Sequence, residues 1–413
     1  MEGKALLFKI FADIDVFDIE INEKDPKKFV EIVQSLSPTF GGINLEDIKA
    51  PEAFNIEKDL IKGLDIPVMH DDQHGTAMIS CAALLNALDL VNKKIKSVKL
   101  VMSGAGSSAI ACAKLYISFG LKKENIVMLD SKGVLNEKRT DLNDEKEFFV
   151  TKRNLETLDE AMIDADVFVG LSTGDIVTPK MLKTMSKDPI VFAMSNPNPE
   201  INYDLAMSTR KDLVMATGRS DFPNQVNNVL GFPYIFRGAL DVRATTINEE
   251  MKKAAVYAIA NLARENVPDE VSNAYGQDKI TYGVDYIIPA PFDPRLIVEV
   301  SSAVAKAAID SGVATNPIKN IALYKKQLAR RLNPTASMLQ RVSDKVSNLK
   351  KRIVFAEGEE ERAIKSALII QNSNLGNPIL IGREKYINET AKKIGLDGIA
   401  NLEIHNAALS EKN

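Results

Sequence analysis

One stretch constrains the fold more than any other. Val98-Lys-Leu-Val-Met-Ser reads as a strand, runs into Gly104-Ala105-Gly106-Ser107-Ser108-Ala109, and continues as an apolar helical segment to about Phe119. A strand, a G-x-G-x-x-A turn and a helix form the geometry in which backbone amides at a helix N-terminus cradle a pyrophosphate. Ile126-Val-Met-Leu-Asp130 supplies the next strand. Its terminal acid lies about 20 residues past the turn, the distance expected of a carboxylate that meets a ribose. A two-glycine turn with no ligand is the alternative. The alternation continues through Ala165 to Gly170, Ile190 to Met194 and Leu213 to Thr217. Each run ends in residues able to line a site: Ser172-Thr173-Gly174, Ser195-Asn196-Pro197 and Gly218-Arg219-Ser220. Repeated βα units of this kind predict a parallel sheet with right-handed crossovers.

Upstream, four carboxylates stand in two adjacent pairs. Phe40-Gly-Gly-Ile-Asn-Leu reads as a buried strand ending in Glu46-Asp47, and Ile66-Pro-Val-Met as one ending in Asp71-Asp72. Pro26 to Leu36 and Ala53 to Leu64 read as helices, so the pairs fall at strand ends, where open α/β sheets bind ligands. Side by side in a low-dielectric cleft, such pairs repel by several kcal/mol. A divalent cation removes that repulsion, and an all-oxygen donor set suits Mg²⁺ or Mn²⁺. Two acidic turns that never meet are the alternative. From Gly75 the sequence reads as a long helix rich in small apolar residues, its N-terminal amides facing the Asp71-Asp72 turn and its length joining the first domain to the second.

The rest of the chain bounds the function. A formal charge of −4 argues against a nucleic-acid surface. No apolar run approaches the roughly 18 residues of a membrane span, so a cytoplasmic protein is expected. Cys81 and Cys112 lie in apolar helical contexts and read as buried thiols, and three histidines cannot build a His-rich metal cluster. Ile14 to Ile21 alternates like a half-buried strand, while Asn227 and Asn228 before an apolar run are turn asparagines unless a site claims them. Glu249 to Glu265 and Pro294 to Ser311 read as amphipathic helices, and Lys319 to Val346 as a basic linking helix. After Lys350 a strand, a helix and a second strand open a new α/β unit. That unit ends too soon for a doubly wound domain, and the N-terminus opens in mid-pattern. Residues are therefore expected to be missing at both ends.

In order along the chain, Glu2-Gly-Lys4, Gly41-Gly-Ile-Asn-Leu-Glu-Asp47, His70-Asp-Asp-Gln-His-Gly-Thr76, Ser195-Asn-Pro197 and Asn227-Asn228 resemble the bacterial malic enzymes that carry a phosphotransacetylase-like domain at the C-terminus. The resemblance implies an α/β chain of four parts. These are a partial catalytic domain over 1–76, a doubly wound Rossmann-type NAD(P)-binding domain with trailing helices over 77–318, a linker helix over 319–349, and a partial acyltransferase-like domain over 350–413. It implies oxidative decarboxylation of malate to pyruvate and CO₂ with NADP or NAD. Glu46, Asp47 and Asp72 match the Mg²⁺ or Mn²⁺ ligands, Lys4 the general base and Asp71 its acid–base partner. Asn196 and Asn227 match positions that bind the malate carboxylate. The turn Gly104 to Ala109, Asp130, Thr173 and Asn196 fall on the dinucleotide side. Lys132 stands where a 2′-phosphate would favour NADP, towards which the expectation leans. The resemblance further implies a homo-oligomer, with acetyl-CoA regulation in the full-length parent and no nucleic-acid or membrane partner.

The family places a proton-donating tyrosine well before the lysine, and this chain starts after it, so reduced malate turnover is expected of these residues alone. Two other classes stay open. A metal-free Rossmann dehydrogenase of the amino-acid type would leave the acidic pairs without a task and would turn over without metal. A non-catalytic cofactor-binding or assembly protein would bind the dinucleotide without turnover.

Overall fold

The computed structural model describes residues 2–274, 279–332, 345–346, 349–372, 375–394 and 402–409. Contacts gather the chain into two compact units, Met1–Leu332 and Asn333–Asn413. The first unit opens with helices α1 (Glu2–Ala12) and α2 (Pro26–Leu36), strand β1 (Ile43–Leu45), α3 (Glu52–Gly63), β2 (Val68–His70) and the long α4 (Asp71–Leu90). β1 and β2 pair in parallel. They share a small core with α2 and α3 through Val30, Val33, Leu45, Ile56, Leu60 and Val68.

The central sheet follows: β3 (Leu100–Ser103), α5 (Ser107–Ser118), β4 (Ile126–Asp130), β5 (Gly133–Val134), α6 (Asp144–Glu147), α7 (Leu158–Met162), β6 (Val167–Gly170), α8 (Pro179–Thr184), β7 (Ile190–Ala193), α9 (Tyr203–Thr209) and β8 (Val214–Thr217). Its order is β5-β4-β3-β6-β7-β8, all parallel except the short β5, which folds back antiparallel on β4. The strands are apolar without a break because both faces are covered. Met102, Met128, Val169 and Phe192 enter one core while Val101, Val127, Phe168 and Val191 enter the other. The strand order reverses between β3 and β6, the switch point at which such sheets bind ligands. Helices α10 (Phe232–Asp241), α11 (Glu249–Arg264), α12 (Asp269–Ala274), α13 (Arg295–Asp310) and α14 (Ile321–Arg331) complete the unit.

In the second unit, β9 (Arg352–Phe355), α15 (Glu361–Asn372), β10 (Asn377–Ile381), α16 (Glu384–Lys393) and β11 (Glu403–His405) form a parallel three-stranded sheet of order β11-β10-β9 with two helices. The chain is thus α/β throughout. No helix among the described residues is long and apolar enough to cross a membrane.

Two expectations change and one helix is added. Residues 14–21 form no strand: the alternation is present, but β1 pairs only with β2 and offers the segment no ladder among the described residues. The N-terminal residues form α1, whose Phe8 and Phe11 are buried. Each such burial contributes about 1.5–3 kcal/mol. Finally, α4 begins at Asp71 rather than Gly75, so both aspartates lie in its first turn, where the helix dipole favours negative charge. Of the expected linking helix Lys319 to Val346, residues 333–344 lie outside the described residues.

Candidate active site

The parallel register pairs Leu45 with His70, so Glu46 and Asp47 leave β1 alongside Asp71 and Asp72 at the end of β2. Asp47 turns the chain in the left-handed region at φ 55, which aspartate tolerates. Its amide donates to Asp72 Oδ2 at 3.1 Å. Gly75, one turn along α4, is required: a Cβ there would overlap Asp71 Oδ1. From behind, the Glu57 carboxylate accepts the His70 amide at 2.7 Å and meets His74 Nε2 at 3.0 Å.

Lys4 reaches this cluster from α1. Its Nζ lies 2.6 Å from Asp71 Oδ2 and 3.0 Å from Glu46 Oε1, and 4.2 Å from the centroid of the Phe232 ring. Phe8, one turn further on, packs on Phe232 and Phe236 with centroids 4.7 and 5.5 Å apart. Those contacts hold the helix in place. Asn228 completes the knot, donating to Asp71 Oδ2 at 2.6 Å. Asn227, expected at the malate carboxylate, accepts the Val229 amide through its side-chain oxygen at 3.0 Å and caps a short 3₁₀ turn.

The cluster is short of positive charge. Burial pushes the Asp71 carboxyl up to about 7, because Glu46 and Asp72 add repulsion that Lys4 only partly offsets. Burial pulls the Lys4 pKa down, but the charges and hydrogen bonds of Asp71 and Glu46 together outweigh it and the net shift is upward. Lys4 as it stands is an ammonium. Asp71 Oδ1 and Asn44 Oδ1 are buried with no hydrogen-bond partner among the described residues. Hard, all-oxygen donors, crowded negative charge and orphaned buried oxygens fit a divalent cation. As the side chains stand, no three acids, histidines or cysteines among the described residues converge on a common point. Lys4 and Asn44 occupy the Glu46 oxygens. A cleft of about 930 Å³ opens beside Lys4, Glu46 and Asp47, walled by apolar side chains such as Phe17 and Phe40; it does not reach Asp71 or Asp72.

The dinucleotide turn adjoins the acidic turn. Ser108 Oγ donates to the Asp72 carbonyl at 2.7 Å, so its hydroxyl is committed to α4. Gly104 has φ +117, and a Cβ there would come within 2.6 Å of the Leu171 carbonyl. Only glycine lets β3 turn beside β6. Gly106 faces open space with nothing within 4 Å of a Cβ, and no side chain caps α5. The amides of Ser107, Ser108 and Ala109 therefore head a helix with room in front of them, as a pyrophosphate requires. Thr173 and Asn196 are exposed beyond β6 and β7.

Sequence reasoning missed Glu200. It is fully buried, and its oxygens accept the Ser172 and Ser195 amides at 3.1 Å each, tying together the two loops that carry Thr173 and Asn196. Burial raises its pKa against those two bonds. A Cβ on Gly170 would overlap that carboxylate. The pair is visible only once β6 and β7 are side by side.

At the end of β4, Asp130 is enclosed by cations. Arg139 Nη1 and Nη2 reach its two oxygens at 3.0 and 3.1 Å, and Lys146 Nζ lies 2.8 Å from Oδ2. Lys132, expected free for a phosphate, instead pairs with Asp141 at 2.5 Å while its backbone amide donates to Asp130.

Residues 1–61 match the family described as "Malic enzyme, N-terminal domain", 73–275 "Malic enzyme, NAD binding domain" and 337–413 "Phosphate acetyl/butaryl transferase". The chain is 54% identical to a probable NADP-dependent malic enzyme of Rickettsia prowazekii over 415 aligned residues, covering 100% of this chain and 54% of that protein. It spans about half the length of the first curated relatives it matches. An NADP-dependent malic enzyme of Halomonas elongata is 56% identical over 317 residues, which is 77% of this chain and 75% of that one. The crystal structure of malic enzyme from Pyrococcus horikoshii superposes with a TM-score of 0.73 at 38% identity, covering 84% of this chain and 78% of that chain. With three-quarters of a close relative accounted for and a solved relative of the same architecture, the chain belongs to the malic enzyme family.

Proposed function

We propose that this site oxidises malate and decarboxylates the product to pyruvate and CO₂, with reduction of NADP or NAD and a requirement for Mg²⁺ or Mn²⁺. The observation that carries the proposal is the Ser108–Asp72 hydrogen bond, which sets the dinucleotide turn directly against the acidic cluster holding Lys4. Glu46, Asp47 and Asp72 would hold the cation, and Gly104 to Ala109 the pyrophosphate. When bound, the cation supplies Lewis acidity at the substrate oxygens and the dinucleotide accepts the hydride from C2.

The chain's own residues do the rest. Lys4 takes the proton from the C2 hydroxyl, and Asp71, 2.6 Å from its Nζ, is the group to which Lys4 passes its own. Once Glu46 is committed to a cation, part of what keeps Lys4 protonated is gone. Phe232 beneath Lys4 shields the ammonium side from water. Asn196 and Asn227 are assigned to the substrate carboxylate, Asn196 and Thr173 also to the cofactor side. Glu200 fixes the loops from which Asn196 and Thr173 project. A homo-oligomer, with acetyl-CoA acting through the segment after residue 337, belongs to the same proposal.

Mn²⁺ titration tests it. Asp72→Ala should weaken Mn²⁺ binding by more than the roughly 10–100-fold typical of losing an outer-shell partner. Malate-dependent NADPH formation should fall in parallel. Equal Mn²⁺ affinity in both proteins would sink the ligand assignment.

A further inference from the structure

His70 lies at the acidic cluster, wholly buried, and the mechanism above gives it no task. It ends β2 and stands directly before Asp71 and Asp72 as the N-cap residue of α4. A buried polar group without a partner costs free energy, so ring nitrogens in such a place are ordinarily hydrogen-bonded. An imidazole also carries at least one N–H in each of its ordinary protonation states. Yet Nδ1 and Nε2 are both buried without a hydrogen-bond partner among the described residues. Nor does the ring cap the helix that it heads. Apolar packing alone would be met better by leucine.

The backbone beneath the ring is firmly placed. The His70 amide donates to Glu57 Oε1 at 2.7 Å, and His74 Nε2 holds Glu57 Oε2 at 3.0 Å. The register of β2 on β1 sets Leu45 against His70. From that position Nδ1 lies 3.9 Å from Asp72 Oδ2. The gap is longer than a hydrogen bond, and a movement of about 1 Å closes it to the N–H···O range. Asp72 is the partner free to move, with 36% of its side chain exposed against 0% for the ring. Its Oδ2 already accepts the Asp47 amide at 3.1 Å. An N–H from His70 would be the second donor on that oxygen, with Oδ1 left for a cation.

We propose that His70 is a positioning residue for Asp72: its Nδ1–H donates to Oδ2 when Oδ1 ligates the divalent cation. The inference rests on the metal assignment proposed above and adds the residue that orients one of the ligands. A carboxylate whose outer oxygen is held by two N–H donors has its inner oxygen aimed before the metal arrives. The same step satisfies the buried donor of the ring, so cation binding relieves a cost that the metal-free protein carries. Only the Nε2 lone pair then remains unpaired.

The experiment is Mn²⁺ binding, followed by the electron paramagnetic resonance of the free ion, to the 413-residue chain and to His70→Leu, His70→Asn and His70→Gln. Leucine removes both nitrogens. Asparagine places an amide nitrogen near the position of Nδ1, and glutamine near that of Nε2. His70→Leu should weaken Mn²⁺ binding about 10–100-fold, the range for losing an outer-shell partner. His70→Asn should recover most of that loss and His70→Gln little of it. With metal chelated, His70→Leu should melt no lower than wild type, because it removes two unpaired buried nitrogens. The stabilisation that Mn²⁺ adds should shrink in step with affinity. Equal Mn²⁺ affinity of wild type and His70→Leu overturns the inference. So does His70→Asn binding as weakly as His70→Leu, which would leave the ring a packing role. If His70→Leu does not fold, the contrast between His70→Asn and His70→Gln carries the same test. Asp72→Ala, run beside them, separates this inference from the ligand assignment. Loss of Mn²⁺ in Asp72→Ala but not in His70→Leu overturns the role of His70 alone, whereas full Mn²⁺ binding by Asp72→Ala overturns both.

Discussion

Two groups of carboxylates end parallel strands in this protein, and they are compensated in opposite ways. At the ends of β1 and β2, Lys4 pairs with Glu46 and Asp71 of the four acids Glu46, Asp47, Asp71 and Asp72, and burial drives Asp71 up to about 7. At the end of β4, Asp130 and Asp141 share Arg139, Lys146 and Lys132, and both acids are held well below their ordinary range. The first group lacks positive charge and is suited to a cation from outside. The second matches its acids with three cations of its own. Strand-end geometry is the same in both, so charge count and burial, not topology, decide what each end can hold.

Removing the one cation from the acid-rich end is the strongest way to break the comparison. Lys4→Met should lower malate-dependent NADPH formation by about 10²–10⁴-fold, the usual contribution of a general base. NADPH affinity should hold, because the dinucleotide turn is tied to Asp72 and not to Lys4. Steady-state turnover beside fluorescence titration separates the two. Turnover within a few-fold of wild type would show that the lysine only neutralises charge.

Glu200 sharpens the comparison, because it is a carboxylate satisfied by neutral amides. Glu200→Ala leaves the buried Ser195 amide without its acceptor, at a cost of about 1–3 kcal/mol, with less for the more exposed Ser172. The urea midpoint should fall accordingly, and NADPH should bind more weakly as the loops after β6 and β7 loosen. An unchanged midpoint would mean that water replaces the carboxylate and that Glu200 holds nothing in place.

The sequence disclosed features whose causes are local and hid those whose causes are not. The central strands were legible because burial on both faces makes them continuous apolar runs, and the glycine turn because Gly104 must adopt a positive φ. Glu46, Asp47, Asp71 and Asp72 were legible as strand-end pairs, though not their register, which comes from β1–β2 pairing. Ile14 to Ile21 misled because alternation records a preference and not the presence of a partner strand. Arg139, Lys146 and Glu200 were missed, and Asn228 was given no partner, for one reason. Each acts on a residue distant in sequence or across a loop, as Asn228 does on Asp71, and no spacing rule reports such a pair. Lys132 was the near neighbour that spacing suggested, and its side chain turns to Asp141 instead.

The smallest effect lies at the cation-rich end. The Asp130 pKa is depressed in the folded protein, so its ionised form contributes stability above its unfolded value, near 3.8. That contribution is lost as pH falls below about 4 towards the lower folded value. Asp130→Asn removes the charge but keeps the shape, and leaves Arg139 and Lys146 facing each other with less compensation. At pH 7 the variant should therefore melt below wild type. The gap should be small, about 1 kcal/mol or less for a network that borders solvent, or roughly 2–4 °C per kcal/mol in a domain of this size. By pH 3 it should have narrowed, because wild type has begun to lose the same charge. Thermal denaturation followed by circular dichroism at both pH values is sufficient. A gap that stays constant between pH 7 and pH 3 would show that Asp130 acts through packing. The contrast with Asp71 would then rest on burial alone and not on the cations around β4.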